Sequence, residues 1–196
     1  MFNQLKNKKY YLLQWATGLI ISIHKGGELD DPNNFRGITL NSSLSKLFTY
    51  LLNNRLSQLC EEKGLICYNQ IGFRRGFRTT DHVFTLKTLI DNSLNKKEKV
   101  YACFVDFKKA YDSVWRDGLI YKLLKYGISS NFVKLIQNMY SRLQICVQLP
   151  SGISFPFRSK VGLKQGCNLS PMLFNLFINE LPKIIDETPG CDPLVL

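Results

Sequence analysis

The sequence contains no pair of cysteines at Cys-x-x-Cys spacing, although it has six cysteines: Cys60, Cys67, Cys103, Cys146, Cys167 and Cys191. That scatter argues against a zinc site and against a disulfide framework, and it fits a reducing, intracellular compartment, cytoplasm or nucleus. A secretory leader is not expected, because the start MFNQLKNKKYYLLQW is polar and basic. No apolar run reaches the roughly 18 residues that would span a membrane. Acidic residues are scarce, and from Gly118 through Asn179 there is none. That window carries Lys122, Lys125, Lys134, Arg142, Arg158, Lys160 and Lys164, and the whole chain has a formal net charge of +11. Such a distribution suits a surface that tracks a polyanion. With 196 residues, 45% of them hydrophobic, there is material for one core and not comfortably for two.

Periodicity supplies the coarse architecture. GLIISIH, residues 18–24, reads as a strand entering a turn at Lys25-Gly26-Gly27. Leu44, Leu47, Phe48, Leu51, Leu52, Leu56 and Leu59 recur at helical spacing between a cap within Asn41 to Ser43 and a stop at Gly64. After the basic loop NQIGFRRGFR, Thr79 or Thr80 is expected to cap a second helix whose apolar face carries Val83, Phe84, Leu86, Leu89, Ile90 and Leu94. VYACFVDF, residues 100–107, is apolar on both faces until Asp106 and predicts a buried central strand. Short helices are expected around Leu119 to Tyr126 and Phe132 to Tyr140, then a hairpin across Pro150-Ser151-Gly152. Ser170-Pro171 should cap a helix bearing Leu173, Phe174, Phe177, Ile178 and Leu181. Strands and helices without strict alternation indicate the α+β class.

Chemistry concentrates in FVDFKKAYDSV, where an apolar segment delivers Asp106 and the turn beyond it delivers Tyr111 and Asp112. A carboxylate at the end of a rigid strand can hold a hard cation beside a phosphate. It can equally cap the following turn, and the segment alone leaves both readings open.

FVDFKKAYDSV resembles motif A of reverse transcriptases, and VGLKQGCNLSPMLFNLFINEL resembles their motif B. HKGGELDDPNNFRGITLNSSLSKLF and QIGFRRGFRTTDH resemble two fingers motifs of the non-LTR (LINE-type) and group II intron enzymes, and the four occur in the family's order from about Ile20 to Leu181. The resemblance implies a right-hand polymerase, with fingers mainly over residues 1–99 and palm mainly over 100–196. By that resemblance Asp106 is the first catalytic, metal-binding aspartate, and the Phe107 carbonyl is a second ligand. Tyr111 is the aromatic gate that excludes a 2′-hydroxyl, and Gln165-Gly166 lies against the incoming nucleotide. Lys25 and Arg36 clamp its triphosphate, a task for a point charge and a planar fork. Arg74, Arg75 and Arg78, interleaved with Phe73 and Phe77, run along the template. The implied partners are an RNA template, a DNA primer and deoxynucleoside triphosphates. The implied cofactor is magnesium, two ions in the complete enzyme, with manganese able to substitute.

The pattern breaks at its end. The family's motif C, an aromatic-Ala-Asp-Asp hairpin carrying the remaining carboxylates, has no counterpart in this sequence, and no thumb follows. The chain is expected to stop before that hairpin and not to polymerise alone, as a gene-model fragment, a decayed copy or the first half of a longer product. A noncatalytic nucleic-acid-binding remnant and an intron-maturase-type enzyme are the alternatives.

Overall fold

The computed structural model describes residues 11–188. A short helix α1 (Leu13–Ala16) leads into strand β1 (Thr17–His24), which pairs antiparallel with β2 (Phe35–Leu40) from Leu19↔Leu40 to His24↔Phe35. Gly26 and Gly27, both at positive φ, turn the chain between them. On its other side β1 runs parallel to β3 (Gln144–Leu149), with Thr17 opposite Gln144. A parallel pair needs a long crossover, and helices occupy it here. β3 also pairs antiparallel with β4 (Gly152–Ile153) and β5 (Phe157–Arg158). Pro156 sits between those two short strands, where its missing N–H interrupts the ladder. The sheet order is β2-β1-β3-β4, with β5 also on β3.

Helix α2 (Ser43–Glu62) begins where the Ser42 hydroxyl accepts the Ser45 N–H, and Gly64 (φ +57°) ends it. Its buried stripe is Ser45, Phe48, Thr49, Leu52, Leu56 and Cys60. Leu44, Leu47 and Leu51, counted with that stripe on spacing alone, face solvent. Helices α4 (Arg116–Lys125), α5 (Ser130–Ser141), α6 (Ser170–Ile178) and α7 (Leu181–Asp186) complete this part of the chain. Leu119 and Leu123, Val133, Leu135 and Ile136, and Leu169, Leu173 and Leu176 are fully buried together with α2. Each such side chain contributes about 1.5–3 kcal/mol relative to exposure. The Ser170 hydroxyl, expected to cap α6, instead donates to the Lys164 carbonyl at 2.8 Å, and Leu169 occupies the cap position.

Two expectations fail in the middle of the chain. Helix α3 (Thr79–Asn95) forms, but its cap is Arg78, whose N–H donates to the Asp81 carboxylate at 2.7 Å, and none of its residues is buried. Residues 98–107 form neither strand nor helix. Tyr101 is 88% exposed and Phe104 84%. A buried strand needs ladder partners for its N–H and C=O groups, and no described strand lies beside this segment. Apolar sequence therefore marks it as fit for burial without supplying the layer that would bury it.

The described cysteines are free. Among the described residues no helix is long and apolar enough to cross a membrane.

Candidate functional site

The segment after Phe107 folds back onto the helix that carries the second palm motif. Phe174 of α6 stacks on Tyr111 (centroids 5.2 Å apart, 30° between planes) and meets Phe107 edge-on at 6.2 Å. One aromatic side chain thus gathers two residues of FVDFKKAYDSV. Burial raises the Tyr111 hydroxyl pKa above its ordinary value.

The loop 159–166 is laced to its surroundings on three sides. The Leu163 and Gly162 N–H groups donate to the carbonyls of Tyr111 and Val114, at 2.7 and 2.9 Å. Gly162 (φ +80°) lies so close to Asp112 that a Cβ would meet its carbonyl oxygen at 2.6 Å. Gln165 Nε2 donates to Asp112 Oδ1 at 2.9 Å, and among the described residues nothing donates to Gln165 Oε1. On the second side the Thr39 N–H of β2 donates to the Gln165 carbonyl, and Gly166 (φ +93°) packs against the Thr39 carbonyl where no Cβ would fit. On the third side Arg116 donates to the carbonyls of Ser159, Val161 and Gly162 while its guanidinium lies 4.9 Å from the Tyr140 ring centroid. Burial pulls the Arg116 pKa down.

Between β2, Asp112 and this loop is a cavity of about 310 Å³, lined among others by Gly37, Thr39, Asp112, Lys164 and Gln165. Lys164 is only 6% exposed. Its stem crosses β1 at Gly18, where a Cβ would stand 3.4 Å from Cε. Burial pushes its amine down to about 8.

This arrangement joins the two palm motifs to a fingers strand, and residues 23–193 match the family described as "Reverse transcriptase (RNA-dependent DNA polymerase)". The chain belongs to that family. It is 32% identical over 183 residues to the "Probable RNA-directed DNA polymerase from transposon BS" of Drosophila melanogaster, covering 93% of this chain and 20% of that protein. It is 30% identical over 184 residues to the "Probable RNA-directed DNA polymerase from transposon X-element" of the same organism, with the same coverage. Against the "Retrovirus-related Pol polyprotein from type-1 retrotransposable element R2" of Popillia japonica it is 28% identical over 177 residues, 90% of this chain and 24% of that protein. Within the reverse transcriptases the chain therefore groups with those of non-LTR, LINE-type retrotransposons. It spans about a fifth of the length of the first two of these relatives.

Of the residues that the reverse transcriptase resemblance singles out, Tyr111, Gln165 and Gly166 come together, with Phe107 beside them through Phe174. Arg36 and Lys25 lie at the far end of the β1–β2 hairpin and are exposed. Arg36 is three residues from Thr39, roughly 10 Å along the strand, and on the opposite face of β2. Phe73, Arg75 and Arg78 are exposed on the 72–78 loop, which Asn175 anchors by donating to the Gly72 carbonyl at 2.6 Å. Arg74 is engaged internally: its Nε and Nη2 grip the Glu61 carboxylate at 2.9 and 2.7 Å, and its guanidinium covers Phe77. The hydrogen bonds from Arg74 hold the Glu61 carboxyl below its ordinary pKa. Arg74→Ala is expected to lower stability by about 0.5–1 kcal/mol, as for a well-oriented surface pair. Because the Glu61 pKa is depressed in the folded state, that contribution is present above the ordinary carboxylate range and is lost as pH falls through the folded value. Urea midpoints of the two proteins should therefore differ at pH 7 and converge in acid.

Reverse transcriptases work with divalent metal ions. Among the described residues no three His, Cys, Asp or Glu side chains are grouped to hold one. Asp106 is exposed, and no hydrogen bond or ion pair ties it to another described residue. Asp112, the next carboxylate along, is engaged with Gln165. The described residues do not by themselves fit a two-ion site.

Asp112, Arg116, Thr39 and Lys164 are the site residues that sequence reasoning did not single out for roles. The first hint was available in Tyr111-Asp112 as a pair, but nothing local announces that Asp112 meets Gln165, which is 53 positions away.

Proposed function

We propose that the chain is the nucleotide-selecting part of a non-LTR retrotransposon RNA-directed DNA polymerase, which extends a DNA primer with deoxynucleotides on an RNA template. Fingers fall mainly in residues 1–99 and palm mainly in 100–196. The observation that carries the reading is the junction of the Tyr111-Asp112 turn with Gln165-Gly166 and the Thr39 end of β2. A glycine that lets backbone approach closely, an aromatic ring braced by Phe174 and an amide fixed by a carboxylate together make a wall of defined shape. Shape is what separates a deoxyribose from a ribose, because the extra hydroxyl must collide with something rigid.

In this reading Tyr111 is the sugar gate, and Gln165 and Gly166 border the nucleotide. Arg36 and Lys25 meet the triphosphate, and Phe73, Arg75 and Arg78 meet the template. Asp106 and the Phe107 carbonyl are the ligands this chain offers to magnesium, with the other carboxylates supplied elsewhere, so that the isolated chain does not polymerise.

The test is primer extension on an RNA template by a longer protein built to contain this chain and the missing carboxylates, comparing the natural residue with Tyr111→Ala. The natural protein should use deoxynucleotides, and the variant should gain ribonucleotide use on the order of tenfold to a hundredfold relative to it. Unchanged discrimination would remove Tyr111 from the gate. No extension by the natural protein would remove the polymerase reading.

A further inference from the structure

A second hollow, of about 430 Å³, shares Arg116 and Ser159 with the first cavity and is otherwise lined by different residues. Its lining includes Trp115, Gln137, Ser141, Arg158, Ser159 and Lys160. Trp115 immediately precedes α4, and its ring lies over Gly118, where any Cβ would collide with the indole. One part of the ring is therefore pinned by the helix, while the side chain as a whole is 64% exposed. A large aromatic ring held in place and left open to solvent is preorganised to stack, because little rotamer freedom remains to be lost. Arg158 and Lys160 are exposed beside it, and no carboxylate among the described residues pairs with either. Arg116 adds a third positive charge at the back of the hollow, although its hydrogen bonds are spent on the 159–162 carbonyls. Asp117 is the one carboxylate in the lining, and it sits in the first turn of α4, where the helix dipole favours it.

We propose that this hollow binds a single strand of nucleic acid, with one base stacked on Trp115 and the flanking phosphates against Arg158 and Lys160. Charge complementarity selects a polyanion: Arg116, Arg158 and Lys160 stand in the lining against one carboxylate, Asp117. The exposed Trp115 ring selects an unpaired base, since a duplex hides its base faces. A protein partner would meet Trp115 beside two exposed cations, Arg158 and Lys160, that no described carboxylate neutralises, where the centre of a protein interface is depleted of charge. The contact goes beyond the nucleotide site and requires no catalysis. It would hold a strand of template or primer to the outer surface while the polymerase site works on another part.

The two tryptophans make the test direct, because Trp15 is buried, at 4% exposure, and serves as an internal reference. The chain is titrated with a short oligouridylate at low salt while tryptophan emission is recorded, and affinity is measured with a labelled copy of the same oligonucleotide. Saturable quenching of the solvent-exposed emission is expected. Trp115→Ala should bind roughly tenfold to a hundredfold more weakly. The exposed double substitution Arg158→Gln with Lys160→Gln leaves the core untouched and should reduce the salt slope by about 1.4, at about 0.7 per phosphate released on a single strand. Unchanged affinity in Trp115→Ala with unchanged circular dichroism, an unchanged salt slope in the double variant, or duplex bound as tightly as single strand would each overturn the proposal. Failure of primer extension in the longer protein, with Trp115 quenching intact, would count against the polymerase reading alone.

Discussion

Replacing Lys164 with methionine is expected to stabilise the folded chain by about 3 kcal/mol at pH 7. The amine lies under β1 at Gly18, is 6% exposed, and neither a carboxylate nor a hydrogen-bond acceptor among the described residues engages it. An unpaired buried cation is among the more costly features a fold can hold, and an apolar replacement of similar length removes the cost while keeping the packing. The size follows from the drop in its pKa from 10.5 to about 8, at about 1.4 kcal/mol per unit. The sign follows from linkage. Below pH 8 the amine is charged in both states, so the folded chain carries the whole penalty. Between about 8 and 10.5 the folded chain releases its proton while the unfolded chain keeps it, and the natural protein gains stability relative to the variant. Urea midpoints should therefore favour Lys164→Met at pH 7 and nearly coincide by pH 10.5. A variant less stable at pH 7, or a difference independent of pH, would show that the amine has found a partner.

Local signals in the sequence reach some of this architecture and miss the rest for definable reasons. The positions of α2, α4, α5 and the β3–β4 hairpin follow from caps, glycines and the period of apolar residues, all properties of a few neighbouring residues. Which face of α2 is buried does not follow, because its leucines spread over more than one stripe and Ser45 and Thr49 take core positions. Thr49 can do so because its hydroxyl donates to the Ser45 carbonyl one turn back. VYACFVDF misled in the opposite direction. Its composition suits burial on two faces, but burial is a property of neighbours, and beyond the Phe107–Phe174 ring contact its residues stay exposed. The apolar side of α3, with Phe84 and Leu94 exposed, is the same case.

The candidate site divides along the same line. Tyr111, Gln165 and Gly166 were legible as members of motifs. Their mutual geometry depends on contacts between distant positions: Asp112 to Gln165, Thr39 to Gln165, and Arg116 to the 159–162 carbonyls. Polar side chains carry no periodic signature that would announce such partners. Arg74, which its basic, glycine-rich loop marks as a phosphate contact, also has a partner that the loop does not announce, the Glu61 carboxylate.

The second large effect belongs to Asp106. It stands at the end of the apolar segment, one residue before Phe107, which Phe174 draws into the company of Tyr111. An exposed side chain without partners among the described residues contributes little to folding, so Asp106→Ala should change stability by no more than about 0.5 kcal/mol. If its carboxylate is the first metal ligand of a polymerase, the same substitution should lower activity on the order of a thousandfold, the upper range for removing one preorganised electrostatic group. Few residues separate a structural role from a chemical one so cleanly. The decisive measurement is primer extension on an RNA template by the longer protein, natural against Asp106→Ala, with unfolding followed on the same samples. Extension abolished at unchanged stability is the predicted result, and equal extension by the two proteins would contradict the account.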